Sequence, residues 1–329
     1  MIRLEPYIRW GKGAIRKVRN PKLERLIGVV ILVGALCFLA IVLFRSWEEI
    51  RPYLSHIDIR LLVIGQLLTI FALLFGGIMW HLIQKSSGLN LTRWGSLSIQ
   101  FTSGITKYIP GYAWQYLSKA YLSKKNGATG QRIAFAMFTE FILLVAGGII
   151  LASLSAWMFG NMWGINLLVP RWGWPLLSGV ALGCVCLWIL WGKRLKILDL
   201  NLADQFQLLV ALLVGVLGWI LFALASWIIA QSLYPVTLNE FPQFVFALVF
   251  SSIVSILVIV VPGGIGIREA TLAALLVGAL PFSVGVVVSI LVRVSVIVAE
   301  LVAFLLVLVV AKSHFLDSPD LPMYNDSQE

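Results

Sequence analysis

The sequence predicts an all-α polytopic membrane protein, and three observations carry that prediction. Hydrophobic residues make up 60% of the 329 positions while charged residues make up 12%, about half the charge of an ordinary soluble domain. Mean hydropathy is +0.95. The apolar residues come in long runs separated by short basic loops, the pattern of membrane helices. A water-soluble globule, a disordered chain and a disulfide-stapled secreted domain are excluded. At about 20 residues per span plus loops, the chain has room for roughly six to nine membrane elements.

Six runs read as full spans: Leu26–Phe44, Leu61–Ile83, Ile133–Met158, Trp174–Trp191, Gln207–Gln231 and Phe282–Ala311. The first follows a basic block. It is too long for a signal-peptide core and lacks a small-residue cleavage site, so it is kept as an uncleaved span. Two further units are interrupted. Ser96–Ile109 runs into Pro110-Gly111 and Ala113–Leu122, and Phe244–Val261 runs into Pro262-Gly263-Gly264 and Arg268–Leu280. Their arms are mostly short for a bilayer about 30 Å thick. Pro removes a donor and Gly permits unusual dihedrals, so each Pro-Gly marks a break. Breaks at membrane depth survive only inside protein or beside a wet cavity. The expectation is six full spans plus two re-entrant helix–Pro-Gly–helix hairpins; eight plain spans is the alternative.

The organisation expected is a basic cytoplasmic segment over 1–25, one transmembrane domain over 26–312 and an acidic disordered cytoplasmic tail over 313–329. Net charge is +10. With the N-terminus inside, 18 of the 25 Lys and Arg fall on cytoplasmic segments, Lys119 among them, and 4 fall outside. That asymmetry argues for both termini in the cytoplasm and against nucleic acid as the partner. The remaining three, Lys107, Arg268 and Arg293, lie within membrane elements. Cys37, Cys184 and Cys186 lie in apolar runs without the companions a metal site needs, and read as small apolar fillers. Neither a metal nor a cofactor is expected.

Gly104–Gly111 echoes Ile256–Gly263: each is an apolar helix ending in Pro-Gly, about 30 residues before an ionisable residue in a span, Glu140 or Arg293. The full spans that precede these units would run in opposite directions. This is the pattern of an inverted repeat, with halves over about 61–158 and 207–311.

Lys107, Glu140, Arg268, Glu269, Arg293 and Glu300 sit inside membrane elements. Each unpaired charge at a span centre costs about 2.5–3.5 kcal/mol, so these groups must pair or face water. Arg293 and Glu300 are seven residues apart and share one face of the last helix, but lie too far apart to pair locally. Their partners are expected elsewhere, among Glu140, Glu269, Arg268 and Lys107. One reading is a polar cavity beside two broken helices; the other is a buried clamp with no ligand. Gly263, Gly264 and Gly266 let the backbone turn before a helix that starts near Ile267. That helix end and Arg268 suit an anion, and Glu269 stands where an N-terminal cap would. The substrate-binding set expected is therefore Lys107, Glu140, Gly263, Gly264, Gly266, Arg268, Glu269, Arg293 and Glu300, with helix breaks at Pro110, Gly111 and Pro262. His56, His81 and His314 fall at loop or span edges, and no nucleophile–base pair stands out, so no catalytic residue is assigned.

The run Pro-Gly-Gly-Ile-Gly-Ile-Arg-Glu-Ala at 262–270, the run Lys-Tyr-Ile-Pro-Gly-Tyr-Ala-Trp at 107–114 and the late Arg293 resemble the transmembrane region of lysylphosphatidylglycerol synthases, a family that includes flippase-like membrane proteins. The resemblance covers about residues 20–312. It implies a membrane region that moves lipids between leaflets, in a bacterial inner membrane. It also implies that the aminoacyl-transferase domain fused to some relatives is not expected in the short stretch after residue 312, nor is a glycosyltransferase domain. The function expected is a lipid flippase that passes a polar-headed, phosphate-bearing lipid through a charged intramembrane cavity. The alternatives are a membrane-embedded transferase acting on a lipid-linked substrate and an accessory subunit of a lipid or glycan assembly pathway. The partners expected are membrane lipids, a phospholipid or a polyprenyl phosphate, with a second copy or a separate biosynthetic enzyme as the protein partner.

Overall fold

A computed structural model describes residues 41, 44–45, 47–89, 91–108, 114–125, 129–161, 169–194, 202–257, 264 and 266–317. Among them the fold is all-α. The helices run α1 Trp47–Ser55, α2 Ile59–Ser86, α3 Arg93–Ile105, α4 Trp114–Lys125, α5 Gly130–Phe159, α6 Gly173–Arg194, α7 Leu202–Gln231, α8 Phe241–Leu257, α9 Ile267–Leu275 and α10 Phe282–Asp317.

Local chemistry sets several boundaries. Asp58 caps α2, its Oδ1 accepting from the Arg60 amide at 2.8 Å. Thr92 caps α3, its Oγ1 accepting from the Gly95 amide at 3.1 Å. These groups satisfy orphan donors at the helix starts.

Six helices are long and apolar enough to cross a membrane: Ile59–Ser86, Gly130–Phe159, Gly173–Leu190, Asp204–Gln231, Leu238–Ile256 and Phe282–Val309. This is an integral membrane protein. The number matches expectation, but the membership differs. Leu26–Phe44 lies almost wholly outside the described residues. Leu238–Ile256, expected as one arm of a re-entrant hairpin, is itself of crossing length. Its helix takes Pro242 in the first turn, where a missing N–H costs nothing, so it begins before the predicted start at Phe244. The other arms are short, as expected: α3 has 13 residues, α4 has 12 and α9 has 9. Pro110, Gly111, Pro262 and Gly263, the residues read as breaks, lie outside the described residues. At the other end α10 continues through Asp317, beyond the expected boundary at 312.

At the centre, α2 and α7 pack antiparallel. A Cβ on Gly65 would meet Ile229 and the Ala225 carbonyl, one on Gly218 would meet Phe75, and one on Gly215 would meet Met79. As numbers rise along α2 they fall along α7, and small residues let the backbones close up. At one end of this pair lies a core of Met79, Trp80, Ile83, Leu143 and Leu208; at the other, Ile229 and Leu233 join a core with Phe244, Leu248, Leu272, Leu276 and Val288. Two shorter helices between two of at least 28 residues occur twice, as α2–α3–α4–α5 and as α7–α8–α9–α10, although α8, at 17 residues, is of crossing length where α3, α4 and α9 are not. Large apolar side chains such as Phe71, Leu213, Leu217, Leu305 and Val309 face outward, as a lipid-solvated surface requires.

Candidate functional site

The membrane-crossing part of α10, Phe282–Val309, carries two charges, and one reaches the end of α3 while the other reaches the start of α9. Glu300 pairs with Lys107, which sits on the 3-10 turn Thr106–Tyr108 that ends α3. That turn is tightened by the Thr106 hydroxyl, which donates to the Ser103 carbonyl at 2.7 Å. Arg293, two turns earlier, lies with its Nε 3.8 Å from Glu269 Oε1 at the start of α9. The other Glu269 oxygen, Oε2, accepts from the Gly266 amide at 2.5 Å. Glu269 is thus both the cap of α9 and the partner of Arg293, and it is almost fully buried.

The approach to α9 needs glycine. Gly264 has φ +62° and Gly266 has φ +86°, the left-handed region that side chains avoid. A Cβ on Gly264 would also run into the Ser255 hydroxyl of α8. The far end of α9 is held by Gln243 of α8, whose Nε2 donates to the Leu275 carbonyl at 2.8 Å and the Val277 carbonyl at 3.1 Å.

These elements enclose a cavity of about 360 Å³. Lys107, Arg268, Arg293, Glu300 and Gly264 line it, with Gln100, Gln115, Ser252 and Ser255 as further polar groups. The apolar wall includes Leu73, Phe101, Leu144, Trp219 and Phe222. The Arg268 guanidinium lies over the Phe222 ring, 5.1 Å from its centroid, a cation–π placement that orients the cation.

The profile of the lysylphosphatidylglycerol synthase TM region matches residues 25–303. The chain belongs to that family. The lysylphosphatidylglycerol synthase TM region is a membrane family linked to lipid-related functions, and its match covers every residue of this cavity. No curated protein matches the chain.

Of the residues singled out in the sequence of this TM-region protein, the cavity brings together Lys107, Gly264, Arg268, Arg293 and Glu300 on its lining, with Glu269 and Gly266 directly behind Arg293. Gly263 lies outside the described residues. Glu140 is not on the lining. It pairs instead with Lys119 of α4, whose Nζ stands 2.7 Å from Glu140 Oε1 and 3.7 Å from the centroid of the Trp80 ring. Lys119, counted above with the cytoplasmic loop cations, is in fact 2% exposed. Its pairing follows from burial: a cation taken out of water needs both a carboxylate and a polarisable face. Gln100, Gln115, Ser252 and Ser255 escaped the sequence reading. Ser252 and Ser255 are three apart on an apolar helix, a spacing that puts both hydroxyls on one face, and that was the available signal.

Proposed function

We propose that this protein moves a polar-headed, phosphate-bearing lipid between leaflets, with the head in the charged cavity and the chains in the bilayer. The observation that carries this reading is the cavity itself: four ionisable side chains and several neutral polar ones line it inside a membrane protein. Charges there are costly and mark substrate pathways. The antiparallel α2–α7 pair and the doubled helix order support two halves of opposite topology that rock about the cavity. On this reading Pro110-Gly111 and Pro262-Gly263 break two re-entrant units. Both termini sit on the cytoplasmic side of a bacterial inner membrane. Setting buried Lys119 aside, the loop cations stand at 17 inside to 4 outside, which still supports that orientation.

The test uses purified full chain in proteoliposomes with acyl-labelled phospholipid in both leaflets. Bleaching by a membrane-impermeant reagent is followed with time. Leaflet exchange faster than in empty vesicles, with the lipid chemically unchanged, supports the reading. Exchange equal to that of empty vesicles counts against it, and a new lipid product favours a transferase.

A further inference from the structure

The charge of the cavity carries an inference about the head group, and it rests on the transport reading above. Among the described residues the lining holds Lys107, Arg268 and Arg293 against one carboxylate, Glu300. Glu269 stands directly behind, 3.8 Å from Arg293. The cluster therefore counts three cations and two carboxylates, a net charge of +1. The joining segments 109–113 and 258–265 contain no Asp, Glu, Lys or Arg that would change the count. The Lys119–Glu140 pair is neutral as a unit and lies off the lining.

We infer that the cavity selects lipids bearing an anionic phosphate and rejects their aminoacylated, cationic counterparts. A single phosphodiester charge brings the cluster to neutrality, which removes the penalty of a net charge held away from water. A lysylated head group carries a surplus ammonium. Placed in the same cavity it raises the local charge, and two like charges within about 6 Å at an effective dielectric of about 20 repel enough to shift an equilibrium by more than tenfold. The side chains suit a phosphate in shape as well as sign: guanidinium forks match its oxygens, and Lys107 supplies a point charge. The phosphate belongs either to a diacylglycerol phosphodiester or to a polyprenyl monophosphate. Both present anionic phosphate oxygens to the guanidinium forks; the diester carries one negative charge and the monoester roughly 1.5 to 2 at neutral pH.

The experiment uses the full chain in neutral carrier vesicles doped with one of four labelled probes: phosphatidylglycerol, lysyl-phosphatidylglycerol, phosphatidylcholine and a polyprenyl monophosphate. Exchange rate is read in the vesicles, and retention is read separately by mass spectrometry of lipids held by the detergent-purified protein. The expected result is at least a tenfold preference, in rate and in retention, for an anionic probe over lysyl-phosphatidylglycerol. The two anionic probes then distinguish the diacyl source from the prenyl one. Arg268→Gln removes one cation and should bring the anion-to-lysyl ratio towards one, whereas Glu300→Gln removes one carboxylate and should raise it. Equal or better handling of the lysyl lipid overturns the inference while leaving transport intact. Selective anion retention without exchange overturns transport and leaves the charge selection standing. Loss of both, or a ratio unchanged in both variants, overturns the selection.

Discussion

Lys107 and Glu300, 193 residues apart in the chain, form an ion pair across the cavity wall and so tie the last helix to the end of α3. Neither group is well solvated, with side-chain exposures of 24% and 12%. Removing one partner of such a pair leaves the other charge uncompensated, at about 3–5 kcal/mol. Lys107→Met and Glu300→Leu should each destabilise the purified protein by an amount in that range, seen as a lower unfolding midpoint. The exchange Lys107→Glu with Glu300→Lys should recover much of the loss, because the pair is restored with its polarity reversed. Thermal unfolding in detergent checks this; three equally destabilised variants would show that the pair contributes nothing as a pair.

The Lys119–Glu140 pair makes a different prediction, because it stands off the cavity lining. Lys119→Met alone should cost about 3–5 kcal/mol by stranding Glu140, whereas the double change Lys119→Met with Glu140→Leu should return to within about 1 kcal/mol of the parent or exceed it. Lipid exchange by the double variant should match the parent. Exchange lost at full stability would return Glu140 to the substrate pathway.

Gly264 faces two separate demands. Its φ of +62° is strained for any side chain, at about 1–2 kcal/mol, and its missing Cβ leaves room for the Ser255 hydroxyl. Gly264→Ala should therefore destabilise by more than that strain alone. Adding Ser255→Ala should recover only the hydroxyl's share of the steric part, because the Ser255 Cβ would still stand 2.7 Å from the new methyl, and should leave the backbone part. Unfolding curves of the three variants measure that share; full recovery in the double variant would mean that neither the backbone nor the Cβ contact was strained.

The α class was legible from the long apolar runs, and the gathering of Lys107, Arg268, Arg293 and Glu300 because charge inside an apolar run is rare and must be answered. The partner assignments were not. Lys119 sits in the polar segment Trp114–Lys125 beside Lys124 and Lys125, and only tertiary packing onto Trp80 and Glu140 distinguishes it from a loop cation. Glu140 looked like a cavity residue because its sequence distance from Pro110 matched that of Arg293 from Pro262, yet its helix turns it towards α4. The helix Phe241–Leu257 starts three residues before the expected Phe244, because Pro242 fits a first-turn position without loss of a hydrogen bond. Lone polar residues in apolar helices, Gln66, Thr69 and Ser295 among them, give no sign in one dimension of which neighbour they face.

Those three residues form the remaining testable link, between α2 and α10. Gln66 Nε2 donates to the Ser295 carbonyl at 3.2 Å, and Ser295 Oγ lies 2.9 Å from Gln66 Oε1 and 3.0 Å from Thr69 Oγ1. Thr69 lines the charged cavity. Gln66 and Ser295 line a separate groove of about 260 Å³ with Leu62, Val63, Ile229, Leu291 and Val294. The hydrogen bonds therefore cross the wall between cavity and groove. In bilayer-embedded proteins such interhelical bonds average about 0.6 kcal/mol and reach about 1.7. Ser295→Ala and Gln66→Leu should each destabilise by about 1 kcal/mol. In a double-mutant cycle they should couple by about 0.6–1.7 kcal/mol, because either change alone removes the shared side-chain contact. Denaturant unfolding in detergent measures the cycle, and strict additivity would mean that apolar packing, not this polar link, holds α2 against α10.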